Sequence, residues 1–477
     1  MASVLLHASR MTHRAYFYSL IILLTVITSV PPHAWAQTAQ PTQTQAATQT
    51  PQPAPSPMPA QSPQTAFANV SLPRWMRIGV EHRGRLEGFS GAGFAADRED
   101  LYWLNRFRVT ARFTIRPWLA AAVQAQDARV EGRNGAVAGA PFRDQFDLRL
   151  AHIDVGHFDK GRFAVRAGRQ ELVFGDQRLV GHANWLNTAR SFDAVRGVFR
   201  QKKLRVDGFA ASVVTNQIDR FNESGGGNLF YGVDAPMSVL PLAGIVEPYE
   251  LVRTSKNLRT EAGAPGDLVS STTGVRLVGK FSPRTDYNVE MAIQRGSLGS
   301  DDISAWAGHW VSGRTIPVGR MTYRAFGEYN YASGDKTPGD ATRGTFDQLY
   351  PTGHDKYGLA DQVGWKNIHH LRTGLEFRPQ PKLAISTSYH SFWLASARDA
   401  LYSAGGAVLA RIPAGAPDRH VGQELDAQFT FTPSARIQVT GGYAHLFTGA
   451  FLKAATPGKS YSAPYVMVTT MLLGLEK

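Results

Sequence analysis

Residues 104–115 read LNRFRVTARFTI and alternate between two chemically different sets of side chains. One set consists of Asn105, Phe107, Val109, Ala111, Phe113 and Ile115. The other consists of Arg106, Arg108, Thr110, Arg112, Thr114 and, one residue further on, Arg116. Successive side chains of a β-strand point to opposite faces, so this pattern predicts a strand with one apolar face and one arginine-bearing face. Unpaired guanidinium groups cannot be buried cheaply, which argues against a soluble core. Lipid on one side and a water-filled lumen on the other suit both faces, as in a transmembrane β-barrel.

The same alternation recurs along the chain, which favours many strands of this kind. From Trp75 to Phe89 one face carries Arg77, Glu81, Arg83, Arg85 and Glu87. Comparable segments lie near residues 275–281, 287–294, 323–331, 371–377 and 424–431. At roughly 20 to 25 residues per strand and connection, residues 70–477 predict about 16 to 20 strands, and because strand numbers are even we expect 18. The predicted fold is an all-β, transmembrane antiparallel barrel.

The connections between strands predict the two ends of the barrel. Four of them contain proline, which suits a turn but not a central strand: residues 115–118 (IRPW), 281–284 (FSPR), 377–380 (FRPQ) and 431–434 (FTPS). We interpret these as short periplasmic turns. The Gly-rich stretches Phe221 to Asp267 and Ser333 to Asn367 are expected to be long extracellular loops or segments folded into the lumen.

The N-terminal region predicts export. Basic residues up to Arg14 precede an apolar run at residues 15–30, and Ala34-Trp35-Ala36 offers small residues at a cleavage site. This pattern is typical of a signal peptide over residues 1–36, because the apolar run is short for a spanning helix of about 20 residues. Residues 37–69 are rich in Pro, Gln, Thr and Ala and carry no charge, which predicts a disordered leader before the barrel of residues 70–477.

Composition restricts the chemistry of the folded part. The chain has no cysteine, which excludes a disulfide scaffold, a thiolate metal site and a cysteine nucleophile. It contains 39 arginines against 12 lysines, and its formal net charge is +13. Arginine forms a planar fork that matches a carboxylate, so arginines interleaved with glutamates suggest a path for carboxylated solutes. The alternative is that facing Arg and Glu residues only brace the barrel wall.

Ten segments, in order along nearly the whole folded part, resemble the alginate-export family of outer-membrane proteins. They are LNRFRV (104–109), QAQDAR (124–129), FRDQFDLR (142–149), GRQEL (168–172), GDQRLVG (175–181), WLNTARSFDAVR (185–196), YNYASGD (329–335), TFDQLYP (345–351), DALY (399–402) and GQELD (422–426). The resemblance implies a monomeric barrel of 18 strands whose arginine-rich pore passes a secreted anionic polysaccharide.

The resemblance also implies candidate pore residues. In the family a positively charged constriction selects uronate polymers, and acidic residues tune it. The matching segments of this chain supply the cations Arg106, Arg108, Arg149, Arg169, Arg178, Arg190 and Arg196. They supply the acidic partners Glu171, Asp176 and Asp193.

We therefore expect an outer-membrane channel that passes an anionic polysaccharide such as alginate, or related uronates, without catalysis, cofactor or metal. The alternative is an uptake porin, substrate-specific or general, for small carboxylated solutes. Expected partners are the solute, outer-membrane lipid and, for export, a periplasmic secretion scaffold.

Three other motifs are set aside. Residues 91–96 (GAGFAA) match a dinucleotide fingerprint, but the surrounding pattern predicts two strands joined by a loop. His369 and His370 are neighbours on a predicted strand and face opposite ways, so they cannot share one metal ion. The basic charge suggests nucleic acid, which the export signal argues against.

Overall fold

The computed structural model describes residues 72–133, 139, 141–218 and 220–473. Eighteen strands form its main sheet: β1 (Met76–Ser90), β2 (Glu99–Arg116), β3 (Leu119–Glu131), β4 (Asp144–Gly156), β5 (Phe163–Gln170), β6 (Phe192–Gln201), β7 (Leu204–Thr215), β8 (Leu229–Asp234), β9 (Gly244–Arg259), β10 (Pro265–Ser282), β11 (Thr285–Leu298), β12 (Asp301–Val318), β13 (Met321–Ala332), β14 (Ile368–Gln380), β15 (Leu383–Leu394), β16 (His420–Ser434), β17 (Ile437–Thr448) and β18 (Tyr461–Leu473). The predicted signal peptide and leader, residues 1–69, lie outside the described residues.

Each of these strands pairs antiparallel with its neighbour in the chain, and β18 pairs with β1, which closes the barrel. The predicted closed barrel of 18 antiparallel strands is confirmed. Closure leaves no unpaired sheet edge, which a strand in lipid requires because its backbone groups find no water there. The register between β1 and β2 runs unbroken from Met76↔Phe113 to Ser90↔Glu99.

A few short strands and helical turns lie outside the 18 barrel strands. Met237–Leu240 continues β8, Glu223–Ser224 pairs with β7, and Thr342–Arg343 pairs in parallel with β12. Leu401–Tyr402 and Val408–Ala410 form a small hairpin of their own. The helical turns are Ala92–Phe94, Pro241–Ala243 and Ala450–Ala455. Among the described residues, no helix has the length and apolar character needed to cross a membrane.

The two faces of the strands differ as the alternation predicts. On β2, Phe107 is 41% exposed on the outside, whereas its neighbours Arg106 and Arg108 are 1% and 6% exposed. Ile153 and Val195 are likewise exposed on the outer faces of β4 and β6. An apolar outer face is what the hydrocarbon of a bilayer requires.

The proline-containing turns are confirmed at two of the four positions. Residues 117–118 and 283–284 are two-residue turns. Pro379 and Pro433 instead lie inside the ends of β14 and β16, and the turns follow at residues 381–382 and 435–436. Both prolines sit where the pairing register shifts, which is where a residue without an N–H is tolerated in a strand.

The prediction of one long loop from Phe221 to Asp267 is wrong, because this stretch contains β8 and β9. Its glycines and prolines obscured the alternation. Residues 333–367, by contrast, contain no barrel strand and fold inward. There they meet residues 171–191, the connection between β5 and β6, through a parallel bridge between Val180 and Tyr350.

These two inward connections, called the 171–191 loop and the 333–367 loop below, pack against the barrel wall through apolar side chains. Leu172 and Val180 of the first and Phe346 and Trp365 of the second are fully buried in one cluster with inward-facing wall residues such as Phe230. This cluster fills part of the lumen near the long-loop end. Open cavities remain in the lumen beside β1 and β16–β18.

Candidate functional site

The inner faces of β1 and β2 carry a dense group of charged side chains. In the register of the two strands Glu81 lies opposite Arg108, and Arg83 lies opposite Arg106. Residues directly opposite in an antiparallel pair share a face, so all four point into the lumen. Arg85 and Glu87 continue the inward row of β1. We call the set of Glu81, Arg83, Arg85, Glu87, Arg106, Arg108, Arg149 and Glu171 the charged patch.

Within the charged patch, Glu81 is shared between two arginines. Its Oε1 lies 2.7 Å from Nη2 of Arg106 and 3.9 Å from Nη1 of Arg108. Arg108 also donates from Nε to Gln126 at 2.7 Å, and both arginines donate to Oδ1 of Asn184 at 3.0 Å. The guanidinium groups are thus held in place partly by neutral acceptors.

Arg83 and Arg85 hold the tip of the 171–191 loop through its backbone. Arg83 donates to the carbonyl oxygens of Asn184, Trp185 and Leu186 at 2.6, 3.3 and 3.1 Å. Arg85 donates to the carbonyl of Trp185 at 2.6 Å and pairs with Glu87 at 2.8 Å. A carbonyl does not cancel a positive charge, so the Arg83 guanidinium keeps much of its field, whereas the Glu87 carboxylate offsets part of the field of Arg85.

Arg149 and Glu171 complete the patch at the start of the 171–191 loop. Nη2 of Arg149 contacts Oε1 of Glu171, and its Nη1 donates to Gln124 at 2.6 Å. Burial alone would raise the pKa of Glu171, but Arg149 together with His182 and Arg108 outweighs it and lowers that pKa to about 2. Glu171 is therefore an anion at any physiological pH. The structure brings the predicted residues Arg106, Arg108, Arg149 and Glu171 together.

Two cavities lie one above the other along the β1–β18 wall. The turn-side cavity, about 260 Å³, is lined by Arg83 and by Tyr465, Met467 and Thr469 of β18. The loop-side cavity, about 310 Å³, is lined by Arg85 and by β18 residues from Tyr461 to Tyr465. Because the lining follows the order of residues along the strands, the two cavities are consecutive along the barrel axis.

An aromatic stack separates the two cavities. The indole of Trp185 lies parallel to the imidazole of His354, with ring centroids 3.6 Å apart. The Arg85 guanidinium lies over the Trp185 indole, 3.8 Å from a ring centroid. The Tyr465 ring meets Trp185 edge-on, with ring centroids 4.8 Å apart. Trp185 and Tyr465 line both cavities. We call the stack of Arg85, Trp185 and His354 the plug.

His354 is tied into the 333–367 loop by Asp361, whose Oδ2 lies 2.9 Å from its Nδ1. Burial opposes protonation of His354, but the Asp361 carboxylate outweighs it and raises the pKa of the imidazole. A cationic imidazole strengthens stacking on the electron-rich indole.

The predicted residues Asp176 and Arg178 join the 171–191 loop to the 333–367 loop and to the opposite wall. Asp176 lies 3.2 Å from both Nε of Arg178 and Nζ of Lys356. Arg178 also pairs with Glu328 of β13 at 3.0 Å and donates to Tyr357. Arg190, also predicted, donates to three backbone carbonyls, those of Gly181, Tyr350 and Pro351. Burial lowers the pKa of Arg190 to about 10. These side chains fasten the loops.

The three remaining predicted residues lie apart from the charged patch. Arg196 points inward but is paired with Asp207 through Nε and Nη2 at 2.8 and 2.6 Å, which braces β6 against β7. Arg169 and Asp193 pair with each other on the outer face, the side of Val165 and Val195, at the long-loop end. The family-resembling segments predict charged residues at these positions, but they do not predict the face of the sheet on which each side chain lies.

The site residues that the sequence-based selection omits are Glu81, Arg83, Arg85 and Glu87 of β1 and the plug residues Trp185 and His354. The four residues of β1 are visible in the alternation of residues 75–89, but they fall outside the segments that carry the family resemblance. Trp185 stands within such a segment, and nothing local marks its side chain as a barrier. Only the contact between two distant loops reveals it.

Two of the motifs set aside lie within the described residues. Residues 91–96 lie between β1 and β2 and contain only one short 3-10 turn. His369 contacts Tyr329, whereas His370 is fully buried and contacts Asn330 and His390, so the two imidazoles face opposite ways. Among the described residues no group of three His, Asp or Glu side chains has the geometry of a metal site.

Comparison with known proteins identifies a family whose match covers most of the barrel. The profile of the family described as "Alginate export" matches residues 74–466. No curated protein sequence matches the chain.

Solved structures show the fold. OccK11 of Pseudomonas aeruginosa is similar with a TM-score of 0.54 at 12% identity, over 83% of this chain and 96% of that chain. OpdK of the same organism, solved with vanillate, has a TM-score of 0.54 at 10% identity over 83% and 98%. A BenF-like porin from Pseudomonas fluorescens has a TM-score of 0.55 at 8% identity over 83% and 98%.

Proposed function

Because this chain belongs to the alginate export family and is an outer-membrane channel of Gram-negative type, not an enzyme, we propose that it passes uronates. The solute is an anionic polysaccharide such as alginate, or a related uronate, that moves along the β1–β18 wall past the charged patch. Export is the direction that the family favours. In the orientation usual for outer-membrane barrels, the short turns face the periplasm.

The charged patch is the observation that carries this proposal. It gathers five guanidinium groups against three carboxylates on one side of the lumen, beside both cavities. An excess of fixed positive charge in a confined space attracts carboxylates, and arginine matches their geometry. The acidic members weaken each contact, which a channel needs because a solute held too tightly does not move.

The charged patch also contains N–H donors that the protein does not use. The Nε atoms of Arg83 and Arg106 and Nη2 of Arg108 are buried and find no hydrogen-bond partner within the part of the chain that the structure describes. Buried donors are normally satisfied, by water if not by protein. Because these donors are buried, a carboxylate reaches them only when the guanidinium groups turn toward the cavity, which makes the contact weak and reversible.

A second candidate function is uptake of small carboxylated solutes. Two cavities of about 260 and 310 Å³, divided by the plug, each accommodate a small solute rather than an extended chain. A similar fold, OpdK, was solved with vanillate, a small carboxylate. For a polymer to pass, Trp185 has to leave the stack.

The test is a planar bilayer recording on the purified channel. We expect anion preference in a salt gradient, and block of the current by glucuronate at a lower concentration than by glucose. High salt should reduce both effects, because it screens the patch. Cation preference, or equal block by the two sugars, would contradict the proposal.

A charge-reversal variant assigns the selectivity to the patch. Arg106→Glu with Arg108→Glu shifts the local charge by four units, so anion preference should weaken or reverse. The control is Arg129→Glu with Arg220→Glu, which makes the same change at exposed positions near the loop end. Faster migration of unheated than of boiled protein on a denaturing gel verifies that each barrel has folded. Wild-type selectivity in the patch variant would show that these arginines only brace the wall.

A further inference from the structure

The turn-side cavity has a second wall whose chemistry differs from that of the charged patch. Apart from Tyr465 and Met467 of β18, its inward residues on β16, β17 and β18 are polar but uncharged. They are Gln428, Thr430, Gln438, Thr440 and Thr469, which we call the neutral wall. Arg83 and Arg106 line the same cavity.

The neutral wall and the charged patch are continuous across the seam at which the barrel closes. Arg106 lies opposite Arg83, Arg83 lies opposite Thr469, and Thr469 lies opposite Gln438 in the registers of four successive strands. In the next row Thr440 lies opposite Thr430. Neighbouring strands are about 4.8 Å apart, so one sugar ring reaches from an arginine to the first residues of the neutral wall.

The hydrogen-bonding capacity of the neutral wall is largely unused by the protein. Thr440 is only 3% exposed, yet its hydroxyl oxygen has no hydrogen-bond partner among the described residues. Within that part of the chain the structure shows no side-chain hydrogen bond from Thr430, Gln438 or Thr469 either. Gln428 donates to the hydroxyl of Tyr465, next to the plug.

The opposite wall contains both kinds of buried hydroxyl, because Ser270 of β10 is also unpaired among the described residues whereas Thr272 of the same strand is paired. Thr272 of β10 is fully buried and accepts a hydrogen bond from Gln294 of β11 at 3.1 Å. Gln294 donates in addition to the carbonyl of Asp347. Buried polar groups are normally paired in this way, because an unpaired one costs free energy. The neutral wall is left with donors and acceptors for something in the cavity.

We propose that the neutral wall is the specificity-determining surface for sugar hydroxyls, while Arg83 and Arg106 bind the carboxylate of the same uronate unit. Threonine hydroxyls and glutamine amides both donate and accept, as the hydroxyls of a sugar require. The inference rests on the proposed function and deepens it. The channel then distinguishes uronates from carboxylates that lack hydroxyls, which arginines alone do not.

The test compares two blockers of the bilayer current, glucuronate and cyclohexanecarboxylate. Both are six-membered rings with one carboxylate, but only the first carries hydroxyls. In the wild-type channel we expect the half-blocking concentration of glucuronate to be lower. Thr440→Val with Thr469→Val keeps the side-chain shape and should raise that concentration by about three- to tenfold for each hydrogen bond lost. Block by cyclohexanecarboxylate should not change.

Two further variants complete the experiment. Thr272→Val is the matched control on the opposite wall and should leave block by both acids unchanged. Gln438→Leu probes the neutral wall independently, should the threonine double variant fail the heat-modifiability check. It should also weaken block by glucuronate alone.

The outcomes separate the two proposals. If the wild-type channel prefers cations, or glucuronate blocks it no better than glucose, the proposed function is wrong. If glucuronate blocks the wild type, but the folded neutral-wall variants leave its half-blocking concentration unchanged or shift both acids equally, the neutral wall does not recognise hydroxyls. In that second case the proposed function stands.

Discussion

At the scale of single residues, the position of Glu81 sets the strength of the charged patch. Its carboxylate lies between Arg106 and Arg108, at 2.7 and 3.9 Å, and the donors that it occupies are not free to bind a solute. The same carboxylate stabilises the two buried cations. Glu81 therefore stabilises the barrel and weakens the binding of a solute carboxylate to Arg106 and Arg108.

Glu81→Gln should lengthen the residence time of glucuronate in the channel severalfold and strengthen anion preference. The cause is the loss of a negative charge between two arginines, which leaves more of their field for the solute. The lost charge-assisted hydrogen bond should cost about 1.5–3 kcal/mol of stability. Single-channel recordings measure the residence time, and the temperature at which the unheated gel band disappears reports stability.

The matched control is Glu376→Gln, which removes a carboxylate paired with Arg324 at 3.0 Å on the wall formed by β13 and β14. It lines neither of the two cavities. Its residence time for glucuronate should equal that of the wild type. A Glu81→Gln channel with unchanged or shorter residence would refute a tuning role for this carboxylate.

At the scale of elements, two loops convert a wide barrel into a divided passage. The 171–191 loop supplies Trp185 and the 333–367 loop supplies His354, and the charged patch holds the first through backbone carbonyls. Asp176 and Lys356 fasten the loops to each other. The plug therefore depends on three separate parts of the chain meeting at one point.

Trp185→Ala should raise the single-channel conductance severalfold, because removal of the indole joins the two cavities. Glucuronate should also leave the channel faster, since the barrier in the middle of its path is gone. Trp118→Ala is the control, because Trp118 is 56% exposed in the turn between β2 and β3 and far along the strand from the plug. Equal conductance in the Trp185 variant and the wild type would show that the ion path avoids the stack.

At the scale of the whole molecule, the barrel is packed unevenly. Apolar side chains of the two loops fill the part of the lumen near the long-loop end, with Phe230, Phe346 and Trp365 fully buried there. The open spaces lie beside the seam between β18 and β1. The first and last strands thus provide both the closure of the barrel and the wall along which we propose that solutes move.

Residues 1–36 are predicted to be removed on export. Mass spectrometry of the outer-membrane protein should find Gln37 at or near the mature N-terminus, because Ala34 and Ala36 supply the small residues that signal peptidase needs. Ala36→Asp should block this cleavage, whereas Ala47→Asp in the predicted leader should not. A mature chain that retains residues 1–36 would contradict the prediction.

The alternation of single residues was enough to predict most of this fold. In β2 it assigns Phe107 and Val109 to lipid and Arg106 and Arg108 to the lumen, and in the structure the first two are exposed whereas the two arginines are buried. It fails where glycine and proline interrupt the pattern, as at β8 and β9, and it places two prolines in turns rather than in strand ends. These errors arise because the alternation is judged over only a few residues at a time. A bulge adds one residue to a strand and so reverses the faces of the side chains that follow it.

The sequence by itself determined the class of fold, the family and the arginine faces of the first strands, because these depend on local periodicity and on short motifs. The tertiary structure alone decided that Arg169 and Asp193 lie outside the lumen, that Trp185 meets His354, and that Thr469 adjoins Arg83. Such neighbours belong to strands or loops far apart in the chain. Their contacts follow from how the barrel closes and how its loops pack, which no local pattern encodes.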